Sequence, residues 1–273
     1  MFCAEESVTT LRRFSPELAI IPSLSASNQI KDIQPLLDIA HAFVFGPGLD
    51  ANETHLLNAK TILSHVIRLN KPVVLYGNAI KILIENHKLV KGHKRCILLL
   101  HDQEFHQLYS AVIGKSQNDE FGESSNKENA PHHCGTTKTE DQDNNRVIEL
   151  ALALGGVTIA VMGAHDFITN GKTHYMCSIK SESDGTITGD TLSGMLGTFL
   201  HWATMETLLS SKSKRENKNI VLAGYAACFM LRKCEQVSHI KDNPCKSSDI
   251  IQCIGKVFQQ YLEHEAGNKL FNQ

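Results

Sequence analysis

The chain has 273 residues and a mass of 30.2 kDa, with 42% hydrophobic and 21% charged residues, a balance ordinary for a globular protein able to bury a sizeable core. Its 27 Lys and Arg against 29 Asp and Glu leave a formal charge of −2, which removes the electrostatic case for a dedicated nucleic-acid binder. No apolar run approaches the ~20 residues a spanning helix needs, and the first fifteen residues hold no apolar signal core. The expectation is a protein neither membrane-integral nor secreted, located in the cytoplasm, with mitochondria as the other option if a transit peptide precedes Met1. Eight cysteines stand far apart with no Cys-x-x-Cys pair and read as buried or incidental thiols.

Four short apolar runs end at punctuation: Ala42–Phe45, Pro72–Leu75, Cys96–Leu100 and Val157–Met162. Continuous apolar strands belong to sheets covered on both faces. Between them, 30–40, 53–69 and 103–113 have helical spacing, so the chain predicts an α/β fold with a mostly parallel sheet flanked by helices. Residues 115–146 are polar and read as a disordered surface insertion in one domain spanning 1–273. His132-His133-Cys134 lies inside that insertion without a partner motif, so no metal site is expected there. Asn170-Gly171 predicts a type I′ hairpin between two further strands. The last third is helical: Leu192, Met195, Leu196, Phe199 and Ala203 share one face, and helices follow near 220–235 and 247–263. His201 and Trp202 read as helix packing, and Tyr76 as packing at the sheet edge or a stacking surface for a ligand ring.

The stretch richest in chemistry is Asp184–Asp190, which runs into a helix beginning at Thr191. Glycines before a helix start leave backbone N–H groups free and put the positive end of the helix dipole beside them, an arrangement suited to a phosphoryl group in flight. Asp190 could take the proton of an attacking hydroxyl. The same residues also read as a glycine-containing loop with Asp190 capping the helix.

The order of these pieces resembles the ribokinase-like superfamily and, more narrowly, the ATP-dependent NAD(P)H-hydrate dehydratases. The matches are Ser15-Pro16-Glu17-Leu18, Gly46-Pro47-Gly48-Leu49, Lys71–Leu75, Glu104-Phe105 with Leu108, Leu150–Gly171, Thr188-Gly189-Asp190 with Leu192-Ser193-Gly194, Trp202-Ala203, Tyr225-Ala226-Ala227, Arg232 and Ser248-Asp249-Ile250. The resemblance implies a ribokinase-like fold with a β-hairpin before the catalytic loop. It also implies ATP-dependent repair of hydrated NADH and NADPH, by phosphorylation of the ring hydroxyl and elimination of phosphate. Asp190 is then the general base and Gly189 its partner in the catalytic loop. ATP falls to Met162, Gly163, Ala164, His165 and Asp166 and to Thr186, Ile187, Thr188 and Gly189. The hydrated cofactor falls to Gly48, to His101, Asp102, Gln103, Glu104, Phe105, His106 and Gln107, and to Asp190. Mg²⁺ accompanies ATP, held by phosphate oxygens and water rather than by a protein cage. The partners are small molecules, with a homo-oligomer possible.

The chain departs from the family pattern at definite places. The family carries a further strand and a glycine-rich loop ahead of the position of Met1, so those elements are expected to be missing. Its Lys-Gly is Met162-Gly163 here, which removes a point charge from the phosphates. Its Asp-Ala-Asp is Tyr76-Gly77-Asn78, and its second turn glycine is Asp50, where a positive φ is expected to cost strain. Thr186 and Ile187 stand where glycine is usual. Two further readings therefore stand beside the dehydratase: a catalytically impaired paralogue that binds a nucleotide or a protein, and a small-molecule kinase of the same superfamily.

Overall fold

The computed structural model describes residues 1–25, 30–114, 137–179, 188–210, 213–238 and 246–270. The elements in chain order are β1 (Phe2–Cys3), α1 (Val8–Phe14), β2 (Ile21–Pro22), α2 (Ile30–Ile39), β3 (Phe43–Phe45), α3 (Glu53–Arg68), β4 (Val73–Leu75), α4 (Asn78–Asn86), β5 (Cys96–Leu100), α5 (Asp102–Ile113), α6 (Thr137–Ala153), β6 (Thr158–Val161), β7 (Asp166–Thr169), β8 (His174–Cys177), α7 (Gly189–Ser210), α8 (Ser213–Ser238) and α9 (Ser247–Leu270). β1 and β2 pair in a small parallel sheet that the sequence pattern does not announce. The main sheet has the order β3-β4-β5-β6-β7-β8, parallel through β6 and antiparallel from there on.

Both faces of that sheet are covered, which is why its strands are apolar throughout. Val73, Leu75, Cys96, Leu98, Leu100 and Ile159 join α3, α4, α5 and α6 in one core. The residues between them, Val74, Tyr76, Ile97, Leu99 and Ala160, join α7, α8 and α9 in the other. Strand order follows chain order, so the crossovers fall on one face, as the right-handed rule requires, and the late helices close the opposite face. Because β3–β6 are parallel, their four carboxyl ends lie along one edge of the sheet.

Three expectations are corrected. Residues 137–146, expected to be disordered, are the first turns of α6; 115–136 lie outside the described residues. The helix is held by its far half, where Val147, Leu150 and Ala151 are buried, and Arg146 lies over the Tyr109 ring at 4.5 Å. Propagating a helix from a packed end costs far less than starting one. The hairpin turn is centred on Gly171-Lys172, one residue later than expected. Gly171 has φ +87°, whereas Asn170 keeps a negative φ and its Oδ1 accepts the N–H groups of Lys172 and Thr173 at 3.0 and 2.9 Å. A glycine with positive φ at the first central position follows the type II′ pattern, so the asparagine serves as the side-chain brace of the turn. Asp50 is not strained: the positive φ values of this turn fall on Gly46 and Gly48. The Asp50 carboxylate instead bonds His55 Nδ1 at 2.9 Å, which lowers its pKa. Cys3, Cys96, Cys177, Cys228 and Cys234 are buried free thiols, in agreement with the sequence reading.

Candidate active site

The carboxyl edge gathers the turn after β3, Tyr76 after β4, His101 after β5, the 162–166 loop after β6, and the start of α7. Open α/β sheets place their ligands at such an edge. α7 begins at Gly189, and the Leu192 N–H donates to the Thr188 carbonyl at 2.8 Å. Thr188 is fully buried while Asp190, in the first turn, is exposed. A fixed N-terminus thus carries an accessible carboxylate, the disposition a general base needs. Thr186 and Ile187 lie outside the described residues.

The loop from Met162 to Asp166 divides into a buried frame and an exposed crest. Met162 sits in the apolar core against α7–α9, and its N–H donates to the Leu100 carbonyl at 2.9 Å. Neither its side chain nor its N–H is therefore turned to the edge. Gly163, Ala164 and His165 are exposed and form the crest. Asp166 is fully buried, and its carboxylate accepts from Arg232 at both oxygens, at 2.9 Å from Nε and 2.5 Å from Nη2. Arg232 in turn holds Glu235 at 3.0 and 3.1 Å. Burial works against the guanidinium's charge, but the two carboxylates outweigh it and keep Arg232 firmly protonated. Asp166 is thereby the anchor of the loop rather than a side chain facing phosphates. The two residues stand 66 positions apart, and no local pattern in the sequence connects them.

Of the segment 101–107, His101 and Glu104 are half-buried, while Asp102, Gln103 and Gln107 are exposed. Phe105 belongs to the core and cannot offer its ring to a ligand. His106 Nε2 lies 3.3 Å from Asp102, one turn along the helix surface. Glu104 accepts the His101 N–H at 2.9 Å, capping α5, and burial raises the pKa of its carboxyl. Gly48 is exposed on the neighbouring turn. Asn78, standing where the family pattern has an aspartate, donates to the Leu49 carbonyl at 2.6 Å and so stiffens that turn.

Beside Asp190 an apolar cleft of about 460 Å³ opens between α7 and α9, with Met230 of α8 also in its wall. It runs from Asp190 and Thr191 past Thr198 to Trp202 and Phe258. Trp202 is half-exposed and lies edge-on to Phe199, with the Phe258 ring 5.9 Å away, so it lines this cleft rather than simply packing the helix. Among the described residues, Glu6, Asp50 and His55 form the sole group of three or more potential metal ligands brought close together. Glu6 and Asp50 are exposed, and His55 is already engaged by Asp50 and Ser25.

Comparison with known proteins decides what this edge belongs to. A family model described as NAD(P)H-hydrate dehydratase matches residues 1–252. The chain belongs to the NAD(P)H-hydrate dehydratase family. It is 28% identical over 268 residues to the human protein named ATP-dependent (S)-NAD(P)H-hydrate dehydratase, covering 96% of this chain and 70% of that protein. The zebrafish (Danio rerio) protein of the same name is 30% identical over 268 residues, covering 96% and 73%. The Nematostella vectensis protein of that name is 30% identical over 273 residues, covering 97% and 68%. In fold the chain is similar to a ribokinase-like superfamily protein from Enterococcus faecalis, with a TM-score of 0.58 at 17% identity over 95% of this chain and 76% of that one. A hypothetical protein from Streptococcus mutans gives 0.60 at 16% identity, covering 95% and 79%. The fold is ribokinase-like, and a dehydratase of this family uses ATP.

Proposed function

We propose that the chain restores hydrated NADH and NADPH by ATP-dependent dehydration. Asp190 accepts the proton of the ring hydroxyl, whose oxygen takes the terminal phosphoryl group of ATP and releases ADP. The C–O bond then breaks, phosphate leaves with the electron pair, and loss of a ring proton re-forms the double bond. The observation that carries this reading is Asp190 itself, an exposed carboxylate on the first turn of a helix whose N-terminal dipole points at the same edge. The crest 163–165 supports the nucleotide phosphates through its backbone. The segment 101–107, through His101 and the exposed polar side chains of α5, supports the hydrated ring together with Gly48. Mg²⁺ accompanying ATP would screen phosphate charge; with Asp166 committed to Arg232, phosphate oxygens and water would hold it.

A second reading, a nucleotide-binding module with impaired catalysis, is favoured by one observation: the residue in the family's lysine position is a methionine held in the core. The two readings part in one assay. Purified protein is mixed with enzymatically hydrated NADH, ATP and Mg²⁺, and the dihydronicotinamide absorbance is followed. ATP-dependent recovery of NADH is expected. A folded, monodisperse sample that binds ATP and recovers none would leave the binding module standing in its place.

A further inference from the structure

We propose that Tyr76 is a positioning residue for phosphoryl transfer: its ring is the support on which Gly189, and with it Asp190, rests, and His101 holds that ring in place. The proposal takes from the proposed function the role of Asp190 as base. Tyr76 stands where the family pattern has a carboxylate, so the device belongs to this chain's own residues.

Tyr76 is 8% exposed and continues β4, with its side chain on the α7 face, in the same alternation as Val74. Its backbone is fixed from two sides. The Tyr76 N–H donates to the Phe45 carbonyl at 3.0 Å, and its carbonyl accepts from the Ala79 N–H at 3.2 Å. Gly46, at φ +123°, presses so close that any side chain there would run into the Tyr76 carbonyl. The ring then reaches the start of α7. A Cβ added to Gly189 would fall 2.9 Å from Tyr76 Cε2 and nearer still to Cζ and Oη, so glycine at 189 is set by the ring below it as well as by any ligand above. The hydroxyl lies 3.1 Å from His101 Nε2, with the two rings edge-on at 5.7 Å. Three strand ends and one helix start thus meet at a single residue.

The charged and titratable groups around the phenol are His101 at the end of β5, Glu104 on α5 and Asp190 on α7. Burial first, then the negative charges of Asp190 and Glu104, push its pKa up to about 12, so it stays neutral beside the catalytic carboxylate throughout the working range.

The test exploits the shape of the contact. Tyr76→Phe keeps Cε2 and Cζ beneath Gly189, whereas Tyr76→Leu removes both. Gly189→Ala is expected to lower kcat about 100-fold by lifting the turn. Adding Tyr76→Leu should restore about tenfold of that loss, and adding Tyr76→Phe, which removes only Oη and leaves Cζ and Cε2 beneath Gly189, should restore clearly less. Strict additivity of both pairs, or equal rescue by both, would overturn the proposal. If wild-type protein turns over no hydrated cofactor, the proposed function fails instead. The same five variants, three single and two double, read by equilibrium binding of ATP, then still show or refute the selective rescue. Thermal midpoints report whether each variant folds. Nitrogen NMR of the His101 imidazole gives a second reading, since Tyr76→Phe should move that signal and an unmoved signal would refute the tie between the two rings.

Discussion

The loop Met162–Asp166 and the turn Thr188–Asp190 face the same edge and are held in opposite ways. The loop is anchored electrostatically: a buried guanidinium grips Asp166 from 66 residues away and shares its charge with Glu235. The turn is held sterically, by an uncharged ring under a glycine. A buried ion pair tolerates no loss of a partner, because the charge left behind has no water to turn to. A steric support tolerates compensating changes on both sides. The loop Met162–Asp166 should therefore break all at once, and the turn Thr188–Asp190 should be adjustable.

The strongest way to test that contrast is Arg232→Met. It leaves two carboxylates uncompensated in the core and should cost about 3–5 kcal/mol. Thermal or denaturant unfolding should show this as a fall in midpoint of roughly 10 °C, and a shift of only a degree or two would mean the triad is not an anchor. Asp190→Asn should act in the other register, lowering turnover by about 10³-fold with the midpoint unchanged and ATP affinity within a few-fold. Steady-state kinetics beside a melting curve separate the two, and full activity in this variant would remove the base.

Met162→Lys sharpens the comparison from inside the loop. The sequence alone predicts a gain in rate as the family's point charge returns. The core position of Met162 adds a cost of several kcal/mol for bringing an ammonium into apolar surroundings. Rate and midpoint should move in opposite directions, and a faster enzyme with unchanged stability would show that the lysine finds a route to the edge. A smaller effect should appear in alkali. The Tyr76 phenol ionises near pH 10 when unfolded and near 12 when folded, so the unfolded state alone gains charge between these values and stability falls there. Tyr76→Phe should flatten that limb of the stability curve, which denaturation across the range would show. The smallest effect belongs to Asp50, whose folded pKa is lowered by His55. Its contribution is complete above the ordinary carboxylate value and fades as pH falls through the lower, folded one. Asp50→Asn should reduce stability slightly near neutrality and least in strong acid.

Much of this architecture is legible in the chain. Apolar runs such as Cys96–Leu100 announce strands covered on both faces, the spacing in 53–69 announces a helix, and Gly189-Asp190 announces a polarised helix start. These signals are local, because strand and helix periods are set by neighbours a few residues apart. Family membership is also carried by short motifs in a fixed order. What the residue string does not show is where side chains point once strand ends are brought together. Asp166 reads as a phosphate-side residue until Arg232 is seen against it. Met162 reads as a degraded lysine until its thioether is found in the core. Tyr76 reads as edge packing until its ring is found beneath Gly189. Those facts belong to the tertiary structure alone, because they arise from the convergence of three strand ends and two helices whose residues are remote in sequence and meet only when both faces of the sheet are covered.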